Sequence, residues 1–427
     1  MITRRAAIEA ALGVAVALGA GRPVLVQAAD QGAADQGAAD KGAADRVVKV
    51  GIDLSLTGAD AESATRIKNG ALLAFEEANA THAIPGYRIE AVTYDDGTAT
   101  AGQYDPAQAA TNARKMVSDH DVVAAVGPQM SGAGKAMAPI LSQGGLAIIT
   151  PASTNPDITD PRFAAQYRPG GKPIYFRTVT TDTYQGPGLT NYWADTLHVK
   201  SVYILDDGGA FGVGLADAFQ KRAEQKGIKV LGRDRLDSKA ADYTTILTKI
   251  KSLRPDALYY GGVLQAGVKL AKQSYDIIPK VIKGGGDGMM GPEMLTAAGF
   301  PAAEGWYVTI ASPHLTEDDR MADWMKSYKS RFGVSPDDYA ITAYDAGLVI
   351  IDAIKRVAAS GKPVTRDAVR DAIQDADVNT LQGGVSFDAN GDLKDRTVSV
   401  FHIKHDPSFP AEDLVHQYRY LGVAPTS

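Results

Sequence analysis

The sequence predicts an α/β fold made of two successive series of buried strands and amphipathic helices. Short apolar runs, such as residues 122–126 and 146–149, have the length and continuity of parallel strands that are covered on both faces. Helical patterns lie between these runs, and this alternation is typical of β-α-β units in a parallel sheet. A Pro- and Gly-rich stretch at 161–173 interrupts the alternation, which then begins again.

The first series occupies residues 48–149. Its strands are predicted at 48–54, 88–94, 122–126 and 146–149, and its helices at 64–78, 105–118 and 131–143. The first helix is supported by the helical spacing of its apolar residues, which are Ile67, Ala71, Ala74, Phe75 and Ala78.

The second series follows the Pro- and Gly-rich stretch. Its strands are predicted at 202–205, 229–231, 257–260 and 281–282, and its helices at 184–197, 211–225, 243–252, 265–275 and 291–298. A strand-like run at 305–309, a helix-rich part at 317–373 and strand-like segments at 384–387 and 398–403 complete the chain. These last elements could belong to either series.

The N-terminal residues have the features of an export signal. Arg4 and Arg5 precede an apolar stretch at 10–20 that is too short to span a bilayer, and residues 26–28 suit signal cleavage. We therefore predict a signal peptide at 1–28. Residues 29–46 contain three near-identical pentapeptides with almost no bulky apolar side chain, which predicts a flexible leader.

Composition and missing motifs exclude several classes of function. The net charge is −6, without the clustered basic face that nucleic-acid binding favours. Cysteine is absent, which removes disulfides, thiolate metal sites, a Cys nucleophile and the attachment site of a lipid anchor. The chain has no metalloprotease, nucleophile-elbow or phosphate-loop motif. We therefore expect no cofactor, no metal and no enzymatic activity.

Two loops are the strongest candidates for a binding site. Residues 127–132 and 150–156 each follow a predicted buried strand, and they carry small residues and hydroxyls. Open α/β sheets bind ligands beyond the carboxyl ends of their strands. Free backbone N–H groups and hydroxyls at that place suit a small polar group, especially a carboxylate.

A series of short motifs then points to a family. In chain order they are Leu56-Thr57-Gly58, Asn69-Gly70-Ala71, Tyr94-Asp95-Asp96, the loops at 127 and 150, Asp182-x-x-Gln185-Gly186, Tyr259-Tyr260-Gly261-Gly262, Gly286-Asp287-Gly288, Ala303-Glu304-Gly305 and Phe387-Asp388-x-x-Gly391-Asp392. With this order and spacing, residues from about 47 to 400 resemble the periplasmic solute-binding proteins of ABC importers, above all the Leu/Ile/Val-binding type.

The resemblance implies two Rossmann-like lobes, the type I periplasmic binding fold, joined by a hinge of three crossings. Lobe 1 is expected to comprise residues 47–178 and 309–384, and lobe 2 residues 179–308 and 385–427. The ligand is then expected in the cleft between the lobes.

The resemblance also implies how an amino acid is held. Ser131 and Thr154 match the hydroxyls that bind the ligand's α-carboxylate, and Ala152 matches a backbone contact. Asp287 matches the acidic residue that pairs with the α-ammonium, although the nearest members of the family have Glu there. From the residues alone, Ser131 could equally be a helix cap, and Thr154 and Asp287 could be ordinary turn residues.

The walls of the pocket differ from those of the nearest members. Phe211 and Tyr344 match aromatic walls, and Met130 and Val263 complete the predicted set of ligand-binding residues. Val263 and Ser63 stand where those members have Tyr. The resemblance thus leaves open which amino acid is bound.

The function implied is capture of a small amino acid, branched-chain or otherwise aliphatic, in the periplasm and delivery to an inner-membrane ABC permease. The protein is expected to be a monomer that is not inserted into the membrane. Three alternatives stay open: a ligand sensor for a receptor, an enzyme on a doubly wound fold, and a binding protein for a solute that is not an amino acid.

Overall fold

A computed structural model of the chain describes residues 45–426. The predicted signal peptide and all but the last two residues of the predicted leader lie outside this range. Within it, strands and helices alternate as the sequence analysis predicts.

The strands form two main sheets and two small hairpins. In chain order they are β1 (Arg46–Leu54), β2 (Tyr87–Asp95), β3 (Gly97–Thr98), β4 (Gln103–Tyr104), β5 (Val122–Val126), β6 (Ala147–Thr150), β7 (Tyr175–Arg177), β8 (Ser201–Asp206), β9 (Lys229–Arg235), β10 (Ala257–Gly261), β11 (Ile282–Gly285), β12 (Trp306–Ile310), β13 (Asp377–Thr380), β14 (Gly383–Ser386), β15 (Ser399–Ile403) and β16 (Tyr418–Val423).

The α-helices lie between these strands. They are α1 (Ala61–Ala80), α2 (Pro106–Ser118), α3 (Ser131–Gln143), α4 (Ala164–Tyr167), α5 (Asp182–Asp195), α6 (Ala210–Gln225), α7 (Thr244–Leu253), α8 (Leu264–Ile277), α9 (Ala322–Phe332), α10 (Asp338–Ala359), α11 (Arg366–Gln374) and α12 (Leu414–Gln417). Short 3₁₀ turns occur at Pro156–Ile158, Pro161–Phe163, Asp287–Met289 and Asp319–Met321.

The first main sheet has the strand order β2-β1-β5-β6-β7, and all of its strands are parallel. Its central strands β5 and β6 consist entirely of buried residues, because helices cover both faces. Helices α2 and α3 pack together on one side, and α1 packs against α10 on the other. Gly70 permits the second contact, because a Cβ at this position would overlap the backbone of Ala340.

The second main sheet has the order β16-β15-β12-β11-β10-β8-β9. The strands from β9 to β12 are parallel, whereas β15 and β16 add an antiparallel edge. Helices α5 and α6 pack together against this sheet, and α7 and α8 form a second pair. The predicted fold class, two Rossmann-like lobes of the type I periplasmic binding fold, is confirmed.

The chain passes between the two sheets three times, after β7, after β12 and after β14. The three crossings are hydrogen-bonded to one another. The N–H of Thr180 donates to the carbonyl of Ala311 at 2.8 Å, and the hydroxyl of Ser399 donates to the carbonyl of Ser312 at 2.8 Å. The division into lobes at residues 178, 308 and 384 stays a prediction, which the position of these crossings supports.

The structure also contains elements that the sequence analysis does not predict. Strand β7 follows directly on the Pro- and Gly-rich stretch, and β16 forms the antiparallel edge of the second sheet. The segment predicted as strand-like at 384–387 contributes to β14, which pairs only with β13 and joins neither main sheet. The helix predicted at 291–298 is reduced to a five-residue π-helical turn, Met294–Ala298, which ends at Gly299 with a φ of 72°.

Within residues 45–426, no helix combines the length and the apolar character that crossing a membrane requires.

Candidate functional site

A cavity of about 420 Å³, including the space open to solvent at its mouth, lies where the carboxyl ends of the two main sheets face each other. Its lining residues come from loops and helix starts on both sides: Asp60, Ser63, Gln129, Met130, Ser131, Ala152, Phe211, Val263, Asp287, Gly288, Met290 and Tyr339.

The topology of both sheets explains this location. In the first sheet the strand order reverses between β1 and β5, and in the second it reverses between β8 and β10. Doubly wound sheets bind ligands at such switch points, because the loops on either side turn away from each other and leave a crevice. After each of these four strands, the following loop or the first turn of the following helix contributes to the cavity lining.

A larger groove of about 1420 Å³ exists elsewhere, but it lies at the opposite edge of the second sheet. Its lining includes Lys200, Asp256 and Val281, which immediately precede strands β8, β10 and β11. This is the amino-terminal edge of the parallel strands, where α/β sheets do not ordinarily bind ligands. Position in the fold therefore favours the smaller cavity.

Several helices begin at the cavity. Asp60 immediately precedes α1, Ser131 is the first residue of α3, Phe211 lies in the first turn of α6, and Val263 immediately precedes α8. The first N–H groups of a helix have no partner within the helix, and its dipole makes this end electropositive. The cavity is thus provided with backbone donors suited to a carboxylate.

Ser131 is positioned to donate its hydroxyl proton into the cavity. Its Oγ accepts hydrogen bonds from the hydroxyl of Ser153 and the backbone N–H of Asn155, both at 3.2 Å. Because both contacts use Oγ as acceptor, the hydroxyl proton of this buried serine remains available. A ligand carboxylate at the start of α3 would accept it.

Arg177 fixes the second loop from behind the cavity. Its side chain is completely buried, and its guanidinium donates to the carbonyls of Ser153 and Asn155. It also pairs with Asp392, with 2.8 Å between Nε and Oδ1. A planar guanidinium with five donors holds two carbonyls and a carboxylate at once, which sets the shape of the loop beside Ser131.

Asp287 places a carboxylate on the opposite side of the cavity. Its backbone N–H donates to Oε1 of Gln185 at 2.8 Å, and its Oδ2 accepts the hydroxyl proton of Tyr339 at 2.5 Å. Burial raises the pKa of Asp287 to about 6, although the hydrogen bond from Tyr339 opposes that rise. Tyr339 belongs to α10, so this bond joins elements that pack on different sheets.

Asp60 is a second carboxyl group in the cavity, and only 3% of the residue is exposed. Burial, together with the negative charges of Glu293, Asp207 and Asp96, raises its pKa to about 7. The lining within residues 45–426 includes no Lys, Arg or His side chain. The cavity is therefore acidic, apart from the electropositive helix ends.

Six of the eight residues predicted as ligand-binding line this one cavity. They are Met130, Ser131, Ala152, Phe211, Val263 and Asp287. Ser63, identified in the sequence as a departure from the family pattern, lines it as well. Their roles towards a ligand stay predictions.

The other two predicted residues, Thr154 and Tyr344, do not line the cavity. Thr154 is completely buried, and its side chain faces the carboxyl of Asp182. Tyr344 donates its hydroxyl proton to Glu77 at 2.6 Å and packs edge-on against Trp324. Tyr339 provides the tyrosine in the cavity wall instead.

The sequence analysis misses four further polar or flexible positions, namely Asp60, Gln129, Met290 and Tyr339. Gln129 belongs to the first candidate loop, at 127–132, so its position after a buried strand is a signal that could have identified it. The first helix is predicted to begin at 64, whereas α1 begins at Ala61, so that Asp60 directly precedes it, at a position where an aspartate is ordinarily interpreted as a cap. In the structure its side chain makes no capping hydrogen bond.

Comparison with known proteins gives a consistent picture. Residues 47–407 match the family model described as periplasmic binding protein. The Leu/Ile/Val-binding protein BraC3 of Rhizobium johnstonii is 30% identical over 83% of this chain and 91% of its own length.

Solved structures share the fold. The leucine binding protein LivK of Thermotoga maritima superimposes with a TM-score of 0.74 at 24% identity, over 88% of this chain and 98% of its own. A solute binding protein of an ABC transporter from R. palustris, solved in complex with benzoate, gives a TM-score of 0.73 at 20% identity, over 90% of this chain and 98% of its own.

Proposed function

The chain belongs to the periplasmic binding protein family, and we propose that it captures an α-amino acid in the inter-sheet cavity and delivers it to an inner-membrane ABC transporter. In this proposal the protein acts in the periplasm as a soluble monomer after removal of its signal peptide. The observation that carries the proposal is the pairing, across one cavity, of a helix start bearing Ser131 with the buried carboxylate of Asp287.

The two ends of the cavity suit the two charges of an amino acid. The ligand's carboxylate would accept the hydroxyl proton of Ser131 and the free N–H groups of the first turn of α3. Its ammonium would pair with Asp287. Both charges lose water in a closed cleft, and each needs a partner of this kind to offset several kcal/mol of desolvation.

The remaining walls favour an aliphatic ligand side chain. Phe211, Val263, Met130 and Met290 surround the cavity with apolar surface. Relatives such as BraC3, named as a Leu/Ile/Val-binding protein, support this class of ligand.

The two halves of the fold, each built around one main sheet, are in contact around the cavity. The side-chain amide of Asn155 donates to the carbonyl of Ala210 at 2.8 Å, and that of Gln265 donates to the carbonyl of Ala101 at 2.9 Å. With only three crossings between the halves, a hinge rotation would break these bonds and open the cavity. A ligand that contacts both sides stabilises the closed arrangement.

We therefore expect a cognate amino acid to compact the protein. Small-angle X-ray scattering should show a smaller radius of gyration at saturation than without ligand, because the open population is converted to the closed one. An unchanged radius at saturating ligand would contradict the hinge mechanism. A related amino acid that calorimetry shows not to bind serves as the control.

Ser131→Ala is expected to weaken amino-acid binding by about 1–3 kcal/mol, or roughly 5- to 150-fold. The substitution removes one donor to the carboxylate but leaves the N–H groups of α3 in place. Calorimetry measures the change. Affinity equal to that of the unmodified protein would show that the carboxylate does not lie at this helix.

An aromatic carboxylate is the second candidate, because the structural neighbour from R. palustris was solved with benzoate. A benzoate-like ligand would use the donors at α3 and Phe211. It would supply no cation for Asp287, so this buried carboxylate would lose water without gaining a partner of opposite charge. The charges of the cavity thus favour the amino acid.

Mass spectrometry of the small molecules released by denaturing the purified protein tests the proposal. The expected result is an α-amino acid in an amount comparable with that of the protein. Release of a carboxylic acid without an amino group would contradict it.

A further inference from the structure

Two buried oxygen atoms, in side chains of residues that line the cavity, lack a hydrogen-bond donor among the described residues. They are Oδ2 of Asp60 and Oε1 of Gln129. Both side chains belong to residues that are more than nine-tenths buried, with 3% and 8% of their surface exposed. A buried acceptor without a donor costs free energy, so each requires a partner that the protein itself does not supply.

The orientation of Asp60 is itself unusual. The residue occupies the N-cap position of α1, where an aspartate normally accepts a hydrogen bond from the first turn. Its side chain makes no such bond and lines the cavity instead. The N–H of Glu62 in the first turn of α1 donates to Oε1 of Glu293 at 3.2 Å instead, so a side chain from the second half of the fold takes the place of the cap.

The surroundings of Asp60 add negative charge. The negative charges of Glu293, Asp207 and Asp96 all disfavour a negative charge on Asp60. Glu293 itself has a buried oxygen, Oε2, without a hydrogen-bond partner. The nearby Arg66 is paired with Glu62 at 3.0 Å and does not line the cavity. Nothing in the lining therefore balances a charge on Asp60.

An amino acid with a purely aliphatic side chain would leave Asp60 and Gln129 without a hydrogen-bond donor. Its carboxylate would be held at Ser131 and its ammonium at Asp287, so a purely apolar side chain would remove water from Asp60 and Gln129 without replacing it. Ser63, one turn further along α1, is small and leaves room on this side of the cavity.

We propose that the ligand carries a second cationic group at the end of an unbranched aliphatic stem, and that this group pairs with Asp60 and donates to Gln129. The ligand class is then a basic α-amino acid, with an ammonium or guanidinium group on its side chain. The apolar walls contact the stem, and the two acceptors bind its end. This inference rests on the proposed function, because it assumes that Ser131 and Asp287 hold the α-carboxylate and the α-ammonium.

Calorimetry with lysine, arginine and norleucine tests it, since norleucine has an unbranched aliphatic stem without the terminal ammonium. The unmodified protein should bind lysine or arginine at least ~30-fold more tightly than norleucine, because a buried charge pair is lost with norleucine. Asp60→Asn should weaken binding of the basic ligand by at least ~30-fold without weakening that of norleucine.

Glu62→Gln is the matched control. It removes a carboxylate two residues away that is half exposed and does not line the cavity. We expect it to change the affinity for the basic ligand by less than about 3-fold, as is usual for an exposed charge. The comparison of lysine, arginine and norleucine on the unmodified protein remains informative even if Asp60→Asn does not fold.

The outcomes separate the two proposals. Norleucine binding as tightly as both lysine and arginine, or an Asp60→Asn protein with undiminished affinity for the basic ligand, would overturn this inference and leave amino-acid capture intact. Failure of every α-amino acid to bind would overturn the proposed function itself, and this inference with it.

Discussion

Asp287→Asn is expected to bind its amino acid at least ~30-fold more weakly than the unmodified protein. Removing one member of a buried charged pair costs about 2–5 kcal/mol, most of it because the other charge stays buried without a partner. Asparagine keeps the shape of aspartate and can still accept the hydrogen bond from Tyr339, so the fold should be retained. Asp287→Ala should lose at least as much affinity.

Tyr339→Phe is the matched control for this prediction. It removes the hydroxyl that donates to Asp287 but leaves the carboxylate in the cavity. A loss of about tenfold or less is expected, because the carboxylate that pairs with the ammonium remains and a typical hydrogen bond contributes about 0.5–1.5 kcal/mol. Calorimetry on all three variants gives the comparison. Undiminished affinity in Asp287→Asn would show that the ligand's α-ammonium pairs with a group other than Asp287.

Arg177→Met is expected to lower the free energy of unfolding by about 3–5 kcal/mol, because it removes the cationic partner of a carboxylate and the guanidinium that donates to two buried carbonyls. Those groups are Asp392 and the carbonyls of Ser153 and Asn155. Denaturation in urea measures the change. The amino-acid affinity should fall as well, because the loop beside Ser131 loses its support.

Arg162→Met is the control for this substitution. Arg162 also pairs with an aspartate, Asp160, but its side chain is 78% exposed. Exposed ion pairs contribute about 1 kcal/mol or less, so the free energy of unfolding should hardly change. A loss in Arg177→Met no greater than that in Arg162→Met would show that the buried network does not support the fold.

The sequence predicts the positions of the two candidate loops because the strands before them are clear. Strands β5 and β6 are short apolar runs covered on both faces, so their ends, and the loops after them, are apparent from the pattern alone. Strand β7 is less apparent, because it has only three residues and follows a stretch dominated by turn-forming residues. The edge strand β16 alternates between more and less buried positions and lacks the continuous apolar run of a central strand.

The sequence analysis does not determine which side chains of a given helix point towards the cavity. Tyr339 and Tyr344 lie on the same helix, five positions apart, which is a rotation of about 140° around the helix axis. The family resemblance implies that Tyr344 forms an aromatic wall, whereas Tyr339 is the tyrosine of α10 that lines the cavity. Packing decides, because Tyr344 faces Glu77 and Trp324 whereas Tyr339 faces Asp287.

Asp60 illustrates the same limit for a polar residue. Its position before α1 is typical of a cap, and its role depends on whether its side chain turns to the helix or to the cavity. The cavity that Asp60 lines also contains residues from the second half of the fold, such as Asp287, which are far away in the sequence. Local patterns do not contain this information.

The most direct test of amino-acid recognition compares an amino acid that binds with the carboxylic acid of the same skeleton that lacks the α-amino group. Both compounds can use Ser131 and the start of α3, but only the first provides a cation for Asp287. Calorimetry should show at least ~30-fold weaker binding of the deaminated acid. Equal affinity for the two compounds would contradict the account, because the carboxylate of Asp287 would then have no part in recognition.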